Sequence, residues 1–445
     1  MPYLAMTDRD EASILREIGA VRFEDLIQGI PGALRDPSVE LPGPMGELEI
    51  QKHMRALAAR NRPAGEKLSF LGGGAYEHFI PTAVAAITGR SEFATAYTPY
   101  QAEASQGTLQ AIFEFQSLIA ELTGMDVSNA SHYDGATSLA EAAILALRHT
   151  GRSKILIGRS VHPHFREVLR TYLAGAHTEI EEIAFGNGQT LDRSDLQAKL
   201  DDRVAAVLLQ SPNFFGVVED FTGIAQAAHA AGALFVHIFN PLSLALFKTP
   251  REWGADIAVG EGQPLGIPAS FGGPYLGIFA TTKALMRKMP GRIAGMTKDT
   301  HGKRAFCLTL QAREQHIRRE KAYSNICSNQ ALCALAACVY MTLLGKNGMA
   351  EVAKMNRARA SCLREKIAKI PGLKVDLGTE LFNEFTVRTE RNAAELLDAL
   401  EKKGILGGIA LGTFYPDLKD RFLVCATETK TFEELDRFAS ALRSC

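Results

Sequence analysis

Several short stretches of this sequence concentrate the residue types that do chemistry. Tyr97–Gly107 (YTPYQAEASQG) sets two tyrosines, a glutamine and a carboxylate in one loop between apolar segments. Tyr97, Tyr100, Gln101 and Glu103 suit recognition of a small polar molecule; the alternative is a solvated surface loop. Pro99 biases Thr98 away from helix, and Ser105 is a candidate cap for a following helix. Leu71–Pro81 (LGGGAYEHFIP) opens with three glycines, which let a backbone turn tightly or approach a ligand. Without a strand before it and a helix after it, this is no phosphate fingerprint, and a structural turn is the simpler reading. Tyr76 and His78 are its notable polar groups. Ser131–Ala142 (SHYDGATSLAEA) runs a turn into a helix. Its first N–H groups could bind a phosphate or carboxylate, unless Thr137 or Ser138 caps them.

The most unusual stretch is Ala255–Gly277 (ADIAVGEGQPLGIPASFGGPYLG), where a strand runs into a loop rich in glycine and proline. Pyridoxal-phosphate enzymes often carry their imine-forming lysine in such a loop. Here Asn240–Ala280 holds a single lysine, Lys248, and it precedes the strand. Gln263 stands in the loop and cannot form an imine. The preceding strand, Phe235–Asn240 (FVHIFN), lacks an aspartate to pair with a pyridinium nitrogen. Thr309–Gln330 gathers Arg313, His316, Arg318, Arg319 and Lys321, either a solvated face or the lining of an anion site or subunit seam. Its Glu314, His316 and Glu320 do not form a recognisable metal set.

The elements that must position these loops alternate. Between about 108 and 285, helical patterns (Leu109–Leu122, Ser138–His149, Pro163–Ala174, Ser194–Leu200, Thr222–Ala231) are interleaved with short apolar runs (Lys154–Ile157, Ile180–Phe185, Val204–Leu209, Leu234–Phe239, Asp256–Val259, Tyr275–Ala280). That order predicts a mainly parallel sheet covered on both faces, with ligands at the carboxyl ends of its strands. Residues 1–60 read as a helical arm, with Thr7 and Asp10 as a capping box, a stop at Gly19, and a second helix over Glu47–Ala59. Residues 61–335 form the expected large α/β domain. Residues 336–445 form a smaller α+β domain, with strands over Lys374–Leu377, Phe382–Arg388 and Arg421–Ala426. Long helices are expected over Asn325–Leu344 and Met349–Ala368.

The chain has 445 residues, 46% hydrophobic and 22% charged, which excludes disorder and coiled coil. Lys+Arg is 49 against Asp+Glu 50, too balanced for an electrostatic nucleic-acid binder or an anionic-membrane binder. The longest apolar run, Ala331–Leu344, falls short of the ~20 residues that span a bilayer and reads as a buried helix. The N-terminus lacks the pattern of a secretory signal. Seven cysteines without a CxxC pair point to reduced thiols, a cytoplasmic setting and no metal site.

Five stretches together resemble one family, glycine decarboxylase, the P-protein of the glycine cleavage system, in its separate N-terminal-half form (subunit 1, or alpha). They are LGGGAYEHFIP, YTPYQAEASQGTLQA, YDGATSLAEA, VGEGQPLGIPASFGGPYLG and LTLQAREQHIRREKAYSNICSNQA. The resemblance covers nearly the whole chain. Ala75, Glu77 and Tyr323 are small departures, where Ser, Asp and Thr are common. It implies the fold-type-I pyridoxal-phosphate transferase fold. It also implies a second, homologous subunit that carries the lysine and the pyridoxal phosphate, in an α2β2 heterotetramer. The implied reaction decarboxylates glycine, releases CO2 and passes the aminomethyl group to the lipoyl arm of the H-protein. Tyr97, Tyr100, Gln101 and Glu103, with His78 and Asn325, are the residues expected to line the partner's cofactor pocket. The alternatives are a non-catalytic scaffold or regulator, and a self-sufficient pyridoxal-phosphate enzyme using another lysine such as Lys248 or Lys283.

Overall fold

A computed structural model describes residues 6–35, 37–38, 40–326 and 328–445, with all side chains among them except those of Ala64 and Asn187. Residues 1–5 and Cys327 therefore lie outside the described residues. The chain divides into two compact units, Met1–Pro63 and Ala64–Cys445. In the first, helix α1 (Asp8–Glu17) is capped by Thr7, whose side chain and that of Asp10 satisfy each other's backbone N–H groups. Helix α2 (Glu47–Ala58) follows the proline-rich connector.

The second unit is built on a seven-stranded sheet. Its strands are β1 (Val127–Ser128), β2 (Lys154–Gly158), β3 (Glu179–Ile183), β4 (Val204–Ser211), β5 (Leu234–Phe239), β6 (Ile257–Glu261) and β7 (Gly277–Thr281). Across the sheet the order is β1-β7-β6-β5-β4-β2-β3. The pairings from β3 through β6 are parallel, and β7 runs antiparallel to both β6 and β1. Strands buried on both faces need continuous apolar runs, and Ile155–Ile157, Val204–Leu209 and Val236 are fully or almost fully buried.

Helix α3 (Gln106–Thr123) ends where Gly124 takes the left-handed conformation, φ 68°. Helix α4 (Gly135–Thr150) begins at Asp134, not at Thr137 or Ser138: Thr137 N–H donates to Asp134 Oδ1 at 2.7 Å. An aspartate in extended backbone reaches the third helical N–H, a task the two hydroxyls inside the first turn cannot perform. Ser105 precedes α3 but makes no side-chain cap.

Helix α5 (Ala331–Ile367) contains one break, at Gly345 (φ 58°, ψ −175°), between the two helical segments expected there. It starts at Ala331 rather than Asn325; Asn329, just before it, donates its Nδ2 to Ala130 O and Ser131 Oγ. Among the described residues it is the one helix long and apolar enough to cross a membrane, yet Ala334, Ala337, Tyr340 and Met341 are buried in a core with Phe115, Ile119 and Ile278. The expected boundary at 335/336 falls inside this helix.

A hairpin of β8 (Ile293–Lys298) and β9 (Arg304–Thr309) was not expected from the sequence; its outer residues Met296, Thr297 and Lys298 are exposed, so the alternation is weak. A four-stranded antiparallel sheet follows, ordered β10 (Leu373–Val375), β11 (Glu384–Thr389), β13 (Arg421–Cys425), β12 (Ile409–Ala410).

Candidate functional site

The carboxyl ends of β2, β4, β5 and β6 open on one crevice, the place where a parallel α/β sheet presents a ligand site. His162 follows β2, Gln210 and Ser211 end β4, Asn240 follows β5, and Glu261 ends β6. The glycine-rich loop at 71–81 lies in this crevice. Gly73 O is 2.6 Å from His162 Nε2, and Gly73 N–H donates to Glu384 Oε1 at 2.5 Å. The Tyr76 hydroxyl donates to Glu384 Oε2 at 2.7 Å. Gln263 clasps the same loop: its Oε1 accepts from Tyr76 N–H at 2.8 Å, and its Nε2 donates to Tyr76 O at 2.9 Å and to Ile267 O at 2.7 Å. All of its polar atoms are thus spent on its own chain, and the residue is buried.

Electrostatics follow from this burial. Glu261 Oε2 accepts Gly135 N–H, the first of α4, at 2.9 Å, and its Oε1 accepts from Gln263 N–H and Leu276 N–H at 3.0 and 2.9 Å. The anion place at the start of α4 is therefore taken by a glutamate of the same chain. Burial pushes its pKa up to about 8, against the pull of those N–H groups. Burial also raises Glu384 to about 7 and lowers His162 to about 4.

A pyridoxal phosphate does not fit these residues. Among the described residues no lysine lines the crevice floor, and Gln263 holds the loop position. The helix terminus that would receive a phosphate holds Glu261. The space left among Gly74, His162, Asn240, Glu261 and Glu384 is about 30 Å³, room for little more than a water molecule. Lys248 lies over the ring of Trp253, 4.4 Å from its centroid, beside a separate cavity. Lys283 follows β7, whose reversed direction carries its end to the amino ends of the parallel strands, away from the crevice.

The residues singled out in the sequence fall into two groups. Tyr97, Tyr100, Gln101, Glu103 and Asn325 are exposed. Tyr97 Oη lies 3.4 Å from Ser328 Oγ, which joins its loop to the segment that carries Asn325. Tyr100 rests on groups the sequence reading did not connect with it. Arg292 Nη2 donates to its hydroxyl at 3.3 Å with the guanidinium over the ring, and the His316 ring meets it edge-on at 5.6 Å. Glu314 Oε2 lies 3.6 Å from both Arg292 Nε and His316 Nδ1. The cationic run thus divides: Arg313 is buried and donates to the Met289, Gly291 and Leu310 carbonyls, whereas Arg318, Arg319 and Lys321 face solvent.

His78 stands apart from the exposed group. Its side chain is 2% exposed and its Nδ1 is 2.9 Å from Glu428 Oε2. With the Lys430–Glu77 ion pair at 2.6 Å, it ties the glycine-rich loop to the segment after β13. Burial works to raise the Glu428 pKa, but the hydrogen bond and charge of His78 outweigh it and hold the carboxyl below its ordinary value. Glu384, Glu428 and Arg292 carried no motif signal; their role comes from contacts made across the chain.

Comparison with known proteins gives a consistent result. The family described as "Glycine cleavage system P-protein" matches residues 1–442. A protein of Desulfitobacterium hafniense named "Probable glycine dehydrogenase (decarboxylating) subunit 1" is 51% identical over 443 residues, covering 99% of each chain. One of the same name from Moorella thermoacetica is 49% identical, over 100% of this chain and 99% of its own. A crystal structure of glycine decarboxylase (P-protein) of the glycine cleavage system in inhibitor-bound form superposes with a TM-score of 0.91, at 42% identity and 100% coverage of both chains. A sphingosine-1-phosphate lyase from Burkholderia pseudomallei, at TM-score 0.67 and 14% identity over 93% of this chain and 94% of its own, shares the fold alone. The architecture is the fold-type-I pyridoxal-phosphate transferase fold expected above. From the matched length and these identities, the chain belongs to the glycine cleavage system P-protein family.

Proposed function

We propose that this chain is subunit 1 of glycine dehydrogenase (decarboxylating, aminomethyl-transferring). With a second, lysine-bearing subunit in an α2β2 assembly it decarboxylates glycine, releases CO2 and passes the aminomethyl group to the lipoyl arm of the H-protein. Pyridoxal phosphate belongs to the reaction and is carried by the partner subunit. The observation that carries this division is the filled crevice: Gln263, Glu261 and the glycine-rich loop occupy the space a cofactor needs. The full-length identity to proteins named as subunit 1 supports the activity.

In this reading the chain supplies a wall to the partner's pocket. Tyr97, Tyr100, Gln101, Glu103 and Asn325 are the exposed polar groups that face it, and a second wall keeps water from the reacting carbon. Arg292 and Glu314 position Tyr100 from beneath. His78 positions the glycine-rich loop through Glu428. From residue 64 the large domain and the small domain over 336–445 belong to one compact unit, joined by helix α5 and that loop. The balanced charge and seven cysteines without a CxxC pair support a cytoplasmic setting.

The test is reconstitution. This chain and the lysine-bearing subunit are expressed separately and mixed, and exchange of the glycine carboxyl with CO2 is followed with lipoylated H-protein. The chain alone is expected to be colourless and inactive, and the mixture active. Activity of the partner subunit without this chain, or a borohydride-fixed cofactor on this chain, refutes the proposal.

A further inference from the structure

The sheet β10–β11–β13 brings three cations into one row. Lys374 pairs in register with Arg388, and Arg388 with Arg421. Residues directly opposite on antiparallel strands point to the same face, where like charges repel. All three line one cavity of about 270 Å³, which β11 and its neighbours share with the turn after β4 and the loop before Thr190. Two carboxylates oppose them. Asp420 accepts from Arg388 Nε at 2.6 Å and lies 3.8 Å from Arg421 Nε, and Asp376, whose Oδ1 accepts from Gly378 N–H, lines the cavity. Three cations against two carboxylates leave one positive charge. No carboxylate oxygen lies within 4.0 Å of the Lys374 ammonium among the described residues. Among the described residues, two buried donors of lining residues have no hydrogen-bond partner: Nε2 of Gln189, itself 8% exposed, and Nε of Arg421, whose contact with Asp420 is an ion pair too long for a hydrogen bond.

The cavity is formed by fixed walls. Val218 N–H donates to Glu380 O at 3.0 Å, and Val217 bridges Leu381, so the turn after β4 is tied to the segment that enters β11. A fixed space with surplus positive charge and forked guanidinium donors suits a planar or tetrahedral oxyanion. From this we infer a binding site for a small oxyanion, a phosphoryl or carboxylate group, held by Lys374, Arg388 and Arg421 and separate from the crevice described above. A ligand there stabilises the junction between the two sheets and so acts at a distance from the proposed chemistry.

The experiment is isothermal titration of the full-length chain with inorganic phosphate and, separately, with acetate, at matched ionic strength. Saturable binding of either is expected; tighter phosphate binding assigns a phosphoryl ligand, and equal or tighter acetate binding a carboxylate. Replacing both Lys374→Gln and Arg421→Gln should weaken the bound anion about tenfold or more. Asp376→Asn should tighten it about threefold by removing the opposing charge. If the double variant loses its fold by circular dichroism, Asp376→Asn alone decides. No saturable heat from either anion, an unchanged affinity in the folded double variant, or an unchanged affinity in Asp376→Asn overturns the inference.

Discussion

Replacing Gly74 by alanine tests whether the glycine-rich loop is a rigid filling of the crevice. Gly74 has φ +108°, a conformation that L residues rarely adopt, and forcing one into such a region costs about 1–3 kcal/mol. An added Cβ would lie 2.9 Å from His162 Nε2 and 3.0 Å from its Cδ2. His162 has little freedom to yield. Its Nε2 is 2.6 Å from Gly73 O, its own N–H donates to Gln210 Oε1 at 2.8 Å, and its ring packs at 5.0 and 4.9 Å from Phe165 and Phe214. Overpacking of this kind costs about 1–3 kcal/mol more. Gly74→Ala should therefore lose about 2–6 kcal/mol in urea unfolding of the full-length chain. Gly175→Ala is the control: its Cβ meets nothing within 4 Å and its φ is not positive, so a change within about 0.5 kcal/mol is expected. A loss at Gly74 no larger than at Gly175 would refute the argument that the loop fills a closed crevice.

Four further outcomes follow from the same geometry. Gln263→Lys should not acquire a borohydride-fixable cofactor, because the new amine enters a space already filled by the Tyr76 backbone; an imine absorbance band in the isolated variant contradicts this. Glu428→Gln should cost about 1–3 kcal/mol, since His78 loses its carboxylate inside the chain; because the Glu428 carboxyl titrates below its ordinary 4.5, its contribution is present above that value and is lost as pH falls through the lowered one. On the alkaline side, Glu141, Glu219 and Glu384 are raised to about 7 and Glu261 to about 8 by burial, so the folded chain holds protons that the unfolded chain has released. Stability should fall as pH rises from about 6.5 to about 8.5. His132, His162 and His237, lowered to about 3, 4 and 3, act with the opposite sign only below 6.5. A urea midpoint that rises over the alkaline window contradicts the assignment, and Glu384→Gln should flatten the fall. Finally, Tyr100→Phe and Gln101→Ala, singly and together, should lower kcat or raise the glycine KM of the reconstituted complex without changing the fold; unchanged kinetics remove both residues from the proposed wall.

Much of the architecture was legible in the residues alone. Apolar runs such as Val204–Leu209 between helical patterns specify a parallel sheet, because a strand buried on both faces leaves no room for alternation. The lone Lys248 before β6, with Gln263 in the loop after it, already marked this loop as one without a lysine. Local chemistry placed the Thr7 cap and the gap between Leu344 and Met349, where the break falls at Gly345. What the residues alone left open were contacts between distant segments. Gly135 and Glu261 are 126 positions apart, Tyr76 and Glu384 308, and His78 and Glu428 350. No local propensity encodes such pairs; the order of the strands and the return of the chain through the second sheet create them. The sequence by itself therefore determined that the loop after β6 carries a glutamine and no lysine. Only the tertiary structure decided what that glutamine holds, because burial turns a loop, a glutamine and a glutamate into one closed surface.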